Sequence, residues 1–153
     1  SESFLTEFFF QNESIQALCI GRYLLVEFPY AISVERAYSY CERLIDRYAV
    51  VPVLAHVERY EHIVRSYKNV RRFHEELGCL IQSNLSALDS LKYRRRIIPL
   101  YRHGLVHLLG TDCHNLETRP PQYREGALEV IRRFGQEAFD EIQSRAATLC
   151  SQC

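Results

Sequence analysis

The sequence predicts an α/β fold in which parallel strands alternate with helices. Two observations support it: four short apolar runs are each followed by a longer segment of helical periodicity, and each run ends in a polar residue. Strands that are apolar throughout are buried on both faces, which is typical of parallel sheets with right-handed crossovers. The pattern does not distinguish an open sheet from a barrel.

The first predicted unit begins with the apolar run Tyr23–Val26, which ends at Glu27. Pro29 ends this strand because proline cannot donate a hydrogen bond to the neighbouring strand. Ser33 then provides an N-cap for a helix over residues 34–48, in which apolar residues recur at helical spacing.

The second unit repeats this plan. Residues 50–55 form a β-branched run that predicts a strand ending at His56. The following helix is predicted over residues 61–77, and Gly78 ends it in the manner of a C-terminal cap.

The third unit has a short predicted strand at residues 79–81, which closes on Gln82 and Asn84. A basic helix is predicted over residues 90–103, and it ends before Gly104.

The fourth strand, residues 105–110, leads directly to Asp112 and His114. Two further helices are predicted over residues 120–134 and 136–148, the first of them starting at a pair of prolines.

Composition favours one globular domain over residues 1–153, without a basic or acidic bias. Nineteen basic and nineteen acidic residues cancel, so no net field attracts nucleic acid or anionic lipid. Apolar runs are too short for a membrane span and a signal peptide is not recognisable, so we expect a cytoplasmic protein without membrane insertion. The six cysteines are expected to be reduced. Within residues 1–21 only a strand at residues 8–10 is predicted.

Polar side chains follow all four predicted strands at their C-terminal ends. In parallel α/β folds these ends meet at one edge, where sites are built. Each residue alone is readily explained as an ordinary strand-end or loop residue, but together they include the carboxylates and imidazoles that bind divalent metals. The residues are Glu27, His56, Gln82, Asn84, Asp112 and His114.

Four ordered motifs resemble the CpsB/CapC-type tyrosine phosphatases of the PHP (polymerase and histidinol phosphatase) superfamily. The resemblance extends from about Tyr23 to the last helix. The motifs are Arg22-Tyr-Leu-Leu-Val-Glu27-Phe-Pro29, Val53-Leu-Ala-His56-Val-Glu-Arg59-Tyr60, Gln82-Ser-Asn84-x-Ser86 and Thr111-Asp112-Cys-His114-Asn115 with Arg119-Pro120.

The resemblance implies a distorted (β/α)7 barrel with a cluster of divalent metal ions, usually manganese, two or three in the complete domain. It implies that the metal ligands are Glu27, His56, Asp112 and His114. His114 also counts among the catalytic residues, and Arg59 and Arg119 would face the substrate phosphate. Gln82 and Asn84 are expected to donate or accept hydrogen bonds without binding metal.

The implied activity is metal-assisted hydrolysis of phosphotyrosine on proteins, regulating capsule or exopolysaccharide synthesis. The expected partner is a phosphotyrosine protein such as a bacterial tyrosine kinase of polysaccharide synthesis. Two alternatives remain open: a PHP phosphatase for a small phosphomonoester, and a non-catalytic remnant that serves as a binding or structural module.

The family begins with a His-x-His strand that this sequence lacks. The chain is therefore expected to be the C-terminal part of the barrel, without its N-terminal strands, and to be poorly active alone. Missing strands would leave unpaired edges and an incomplete metal shell.

A different chemistry is suggested by Cys113 and Arg119, which form a Cys-x5-Arg motif as in thiol-based phosphatases. That mechanism needs a loop of backbone N–H groups that wraps the phosphate and lowers the pKa of the thiol. The intervening loop has no glycine and contains the acidic Glu117, and Pro120 and Pro121 remove two N–H donors. The metal mechanism is therefore favoured.

Overall fold

The computed structural model describes residues 19–111 and 123–151. In this part of the chain a five-stranded sheet has its strands in the order β1-β2-β3-β4-β5. Strands β2 to β5 are parallel to one another, and β1 pairs antiparallel with β2 at one edge. The strands are β1 (Cys19–Ile20), β2 (Tyr23–Val26), β3 (Val51–Leu54), β4 (Leu80–Asn84) and β5 (Leu108–Gly110).

Helices connect the parallel strands, which confirms the predicted α/β alternation. A short 3-10 turn at Val57–Arg59 follows β3 after two residues, and another at Leu85–Leu88 directly follows β4. The described helices are α1 (Val34–Tyr48), α2 (Glu61–Val64), α3 (Tyr67–Leu77), α4 (Leu91–Arg102), α5 (Tyr123–Phe134) and α6 (Gln136–Ser151).

Helix α1 has the predicted bounds. The Ser33 hydroxyl accepts a hydrogen bond from the backbone N–H of Arg36 at 3.3 Å, so the predicted N-cap is present. The helix ends at Tyr48, and the capping residue Ala49 has a φ of 51°, in the left-handed region.

The single helix predicted over residues 61–77 is two helices, α2 and α3. Ser66 is extended and starts α3, accepting a hydrogen bond from the N–H of Lys68 at 3.3 Å. The side-chain amide of Asn69 donates to the carbonyls of His62 and Ile63 at 3.2 and 3.3 Å. These bonds satisfy carbonyls at the end of α2, so the helix can stop there.

β3 is one residue shorter at each end than predicted, and two other strands differ more. β4 continues to Asn84, three residues beyond the predicted end, because Gln82 and Asn84 pair with β5. β5 begins only at Leu108, although the preceding residues are buried and His107 already donates its N–H to the Ile81 carbonyl of β4 at 2.9 Å. The two-residue β1 was not predicted, and the strand predicted at residues 8–10 lies outside the described residues.

The core lies between the sheet and the helices packed on it, and it includes the fully buried Leu54, Phe73, Ile81 and Leu100. Cys41 and Cys79 are buried free thiols. No described helix is long and apolar enough to cross a bilayer.

Candidate active site

Glu27 and His56, two of the predicted metal ligands, lie side by side. Their strands are adjacent and parallel, with Val26 opposite Leu54, so the residues that follow the two strands emerge at the same edge of the sheet. The carboxylate Oε1 of Glu27 lies 3.1 Å from Nε2 of His56. The structure therefore brings this pair together, while its role in metal binding stays a prediction.

The backbone of His56 has an uncommon conformation. Its φ of 52° and ψ of 43° lie in the left-handed region, which costs an L-residue roughly 1–2 kcal/mol. This turn ends the strand and directs the backbone N–H of His56 to Oε1 of Gln82, at 2.8 Å. Strained residues of this kind are concentrated at functional sites.

Hydrogen bonds fix the orientation of the His56 ring. Because a backbone N–H can only donate, Oε1 of Gln82 must face His56 and the Gln82 Nε2 must face Oδ1 of Asn84, at 3.4 Å. Oδ1 of Asn84 then lies 2.9 Å from Nδ1 of His56 and accepts a hydrogen bond from the N–H of that nitrogen. Nδ1 is thus the donor, which leaves Nε2 directed at Glu27.

This arrangement suits a metal ligand. In a neutral imidazole with its proton on Nδ1, the lone pair is on Nε2, and a hydrogen bond of the remote nitrogen commonly orients histidines that bind metals. Without a metal, the same geometry allows an imidazolium to donate from Nε2 to the Glu27 carboxylate. Nitrogen and carboxylate oxygen are both suitable ligands for divalent ions of the first transition row.

Gly110 leaves room for the Gln82 and Asn84 side chains. It lies opposite Asn84 in the pairing of β4 with β5. A Cβ atom at this position would overlap with Nε2 of Gln82 and lie 3.3 Å from Oδ1 of Asn84. A residue with a side chain here would displace the amide that holds the His56 backbone.

Glu58 is a buried carboxylate that the sequence did not indicate. Only 1% of the residue is exposed, and Oε2 accepts a hydrogen bond from the N–H of Asn84 at 3.3 Å. Burial raises the pKa of the Glu58 carboxyl, an effect that hydrogen bonds from the backbone N–H groups of Glu58 and Asn84 oppose. Glu58 thus holds the end of β4, where Asn84 contacts His56. In the sequence, only the position of Glu58 in the motif that contains His56 could have indicated it.

The loop after Glu27 is tied to the turn after His56. The hydroxyl of Tyr60, a residue that is 1% exposed, accepts a hydrogen bond from the N–H of Phe28 at 3.1 Å. The two rings also meet edge to face, with their centroids 5.8 Å apart. These contacts fix the relative position of Glu27 and His56.

Arg59 ends the 3-10 turn that begins after His56. Its guanidinium carbon lies 6.0 Å from the centroid of the Tyr30 ring, and both residues line an open cleft. The backbone N–H of Arg59 donates to the carbonyl of His56 at 2.9 Å, so its turn is tied to His56, while its role towards substrate stays a prediction.

The other predicted site residues, Asp112, His114 and Arg119, lie outside the described residues, as does Cys113. Within residues 19–111 and 123–151, no group of three or more histidine, cysteine, aspartate or glutamate side chains could hold a metal ion. Glu27 and His56 alone can therefore supply only part of a metal shell.

Comparison with known proteins agrees with the four motifs. Residues 5–150 match the family described as "Capsular polysaccharide synthesis, CpsB/CapC". The chain is similar to "Tyrosine-protein phosphatase CpsB" of Streptococcus pneumoniae, with 28% identity over 141 residues, covering 86% of this chain and 57% of that protein.

Two further relatives carry phosphatase names. "Tyrosine-protein phosphatase CpsB" of Streptococcus agalactiae serotype III (strain NEM316) is 26% identical over 138 residues, covering 85% of this chain and 56% of that protein. "Tyrosine-protein phosphatase YwqE" of Bacillus subtilis (strain 168) is 26% identical over 122 residues, covering 76% of this chain and 46% of that protein. The chain thus spans about half the length of the relatives it matches.

Proposed function

Because the chain belongs to the CpsB/CapC family, we propose that it carries part of a metal-dependent phosphatase that hydrolyses phosphotyrosine on proteins of capsule or exopolysaccharide synthesis. The names of the similar streptococcal and Bacillus proteins support the activity. The observation that carries the proposal is the Glu27–His56 pair, in which Nε2 of the oriented imidazole faces a carboxylate oxygen at 3.1 Å.

The proposed fold of the complete domain is the distorted (β/α)7 barrel of the PHP superfamily. The strand order supports it, since every described strand pairs with the next one along the chain. A doubly wound open sheet instead reverses its strand order at the point where ligands bind. A barrel continues in one direction until it closes.

The proposed metal ligands are Glu27 and His56, joined by Asp112 and His114, and manganese is the proposed ion. Bound there, a divalent ion would polarise the phosphoryl oxygens and make an attacking water molecule more acidic. The protein's own contribution is orientation. Asn84 holds Nδ1 of His56, so the ring needs no reorganisation to present Nε2.

Arg59 and Arg119 are proposed to bind the phosphoryl oxygens, where negative charge must be stabilised in the transition state. His114, one of the proposed metal ligands, is also proposed as a catalytic residue beside these two arginines. The leaving group is a phenolate, whose conjugate acid has a pKa of about 10, so protonation by the enzyme is less critical than for an alkyl phosphate. The proposed substrate is a phosphotyrosine protein, such as a tyrosine kinase of polysaccharide synthesis.

The test is hydrolysis of p-nitrophenyl phosphate and of a phosphotyrosine peptide by the protein that contains this chain. Activity should be lost with EDTA, return with Mn²⁺ and persist in Cys113→Ser. His56→Ala should abolish it. If Cys113→Ser abolishes turnover while EDTA has no effect, the thiol mechanism is correct and the metal mechanism is wrong.

A further inference from the structure

Tyr30 lies at the tip of the loop that follows β2, three residues after Glu27. The residue is 64% exposed, so most of its aromatic ring is in contact with solvent. A single exposed aromatic side chain is common on a protein surface and needs no explanation by itself. Tyr30 differs from such a residue in the conformation of its loop and in its position beside the candidate active site.

The loop holds Tyr30 in a tight turn that is fixed on both sides. The N–H of Ile32 donates to the carbonyl of Pro29 at 3.0 Å, which closes a β-turn around Tyr30. Before the turn, the N–H of Phe28 is hydrogen-bonded to the buried hydroxyl of Tyr60. After it, Ile32 is 7% exposed and belongs to the hydrophobic core. An anchored backbone therefore presents the Tyr30 ring to solvent.

The Tyr30 ring contacts the turn that follows His56. The guanidinium carbon of Arg59 lies 6.0 Å from the ring centroid, a distance at which a cation is attracted to an aromatic face. Tyr30 and Arg59 also line the same cleft, which has a volume of about 200 Å³. The contact thus joins the loop after Glu27 to the turn after His56. Because most of Tyr30 is exposed, a ligand in the cleft can still pack against its ring.

The position of Tyr30 fits the aryl group of a phosphotyrosine. In the proposed function, Arg59 binds the phosphoryl group of the substrate, and a single oxygen atom joins that group to the aryl ring. The ring of the substrate is therefore held close to the Arg59 guanidinium, where the Tyr30 ring also lies. Two aromatic rings at this separation attract each other in edge-to-face or offset-stacked arrangements.

We propose that Tyr30 packs against the aryl ring of the phosphotyrosine and is a specificity-determining residue for aryl over alkyl phosphates. This inference rests on the proposed function, because that function places the phosphoryl group at Arg59. The anchored turn keeps the Tyr30 backbone in place, so little conformational entropy is lost when the substrate binds.

The test compares two phosphonates, which bind without being hydrolysed. In benzylphosphonate a methylene group replaces the bridging oxygen of an aryl phosphate, and methylphosphonate lacks the ring. Isothermal titration calorimetry, with Mn²⁺ present and the protein that contains this chain, should show tighter binding of benzylphosphonate. Tyr30→Ser should weaken binding of benzylphosphonate about twofold to tenfold, as expected for the loss of one aromatic pair, and leave that of methylphosphonate unchanged. Tyr30→Phe should retain the wild-type preference.

Leu91→Ser is the matched control, since Leu91 is 65% exposed and does not line the cleft. It should leave the binding of both phosphonates unchanged. If Tyr30→Ser weakens the binding of both phosphonates equally, Tyr30 only holds Arg59 in place and the inference is wrong. Equal affinity of the wild type for the two phosphonates would also overturn it.

Hydrolysis of p-nitrophenyl phosphate separates a failure of this inference from a failure of the proposed function. A wild-type protein that hydrolyses this ester and binds the two phosphonates equally refutes the inference alone. One that binds them with the expected preference and does not hydrolyse the ester supports the ring contact and counts against the proposed activity. One that neither hydrolyses the ester nor binds either phosphonate refutes both.

Discussion

Oδ1 of Asn84 accepts a hydrogen bond from Nδ1 of His56 at a distance of 2.9 Å. The two residues come from neighbouring parallel strands, and the bond is buried. It determines which nitrogen of the imidazole faces Glu27. The orientation of the His56 ring is therefore set by a residue of the neighbouring strand.

Asn84→Leu should lower Mn²⁺ affinity and turnover by about tenfold to a hundredfold, because it removes the acceptor that orients His56. Asn84→Asp is the matched control, because it keeps an oxygen within reach of Nδ1. Its Mn²⁺ affinity and turnover should fall much less. Isothermal titration with Mn²⁺ and phosphopeptide hydrolysis measure the two effects. Equal losses in both variants would show that Asn84 contributes packing and not orientation.

Gly110→Ala should destabilise the fold by about 1–3 kcal/mol, because the added methyl group overlaps with the buried amide of Gln82. Urea unfolding measures this loss. The double variant Gly110→Ala with Gln82→Ala should be less destabilised than the sum of the two single variants, since the shortened side chain removes the overlap. Strictly additive losses would mean that the two residues do not interact.

Glu58→Gln should flatten the dependence of stability on pH. The raised pKa of Glu58 means that the folded state holds the proton more tightly than the unfolded chain. Its favourable contribution is therefore complete below the unfolded pKa of about 4.5 and is lost as pH rises through the folded pKa. At pH 8, Glu58→Gln should consequently be as stable as wild type or more stable in urea unfolding.

The control for that experiment is Glu58→Ala, which leaves the N–H of Asn84 without its carboxylate acceptor. It should be less stable than wild type by about 1–3 kcal/mol at every pH. A Glu58→Gln protein that is as unstable as Glu58→Ala would show that the carboxylate charge itself is needed.

His107 should make the protein sensitive to acid. It is 2% exposed, and Nδ1 accepts a hydrogen bond from the N–H of Ile81 at 3.1 Å, which requires the neutral ring. Burial lowers the pKa of His107 to about 3, aided by the neighbouring His74 and Arg145. Between about pH 6.5 and 3 the unfolded chain takes up the proton and the folded protein does not, so stability falls by at most about 1.4 kcal/mol per pH unit.

Urea unfolding at pH 7.5, 6 and 5 should therefore show a steeper loss of stability for wild type than for His107→Gln. Carboxylates also titrate in this range, so the difference between the two proteins is the informative quantity. The exposed His103, changed to Gln, should reproduce the wild-type slope. If His107→Gln and His103→Gln follow the same curve, His107 is not the acid-sensitive group.

The alternation of strands and helices was predictable because local features encode it. Apolar runs, the Ser33 cap and Gly78 act within a few residues along the chain. Glu27 and His56 were predictable as neighbours for a related reason: parallel strands place their C-terminal ends at one edge.

The finer geometry was not predictable because it depends on residues distant in sequence. The burial of Glu58 is tied to the N–H of Asn84, and the left-handed backbone of His56 is held by Gln82, each 26 residues away. The break between α2 and α3 has a more local cause, the Asn69 side chain. Helical periodicity continues across residues 64–66, so the sequence pattern does not indicate the break between the two helices.

The strand order also bears on how the molecule is made. Tyr23 pairs with Val51, Val53 with Leu80 and Gln82 with Leu108, so each parallel strand finds its partner in the next strand to be synthesised. One helical crossover separates the partners of each pair, and the entropy lost in closing a loop rises with its length, so pairing with the next strand costs less than pairing with a more distant one. The sheet can thus grow one strand at a time, and the contact between Glu27 and His56 is completed only when β4 supplies the Gln82 and Asn84 side chains that hold His56.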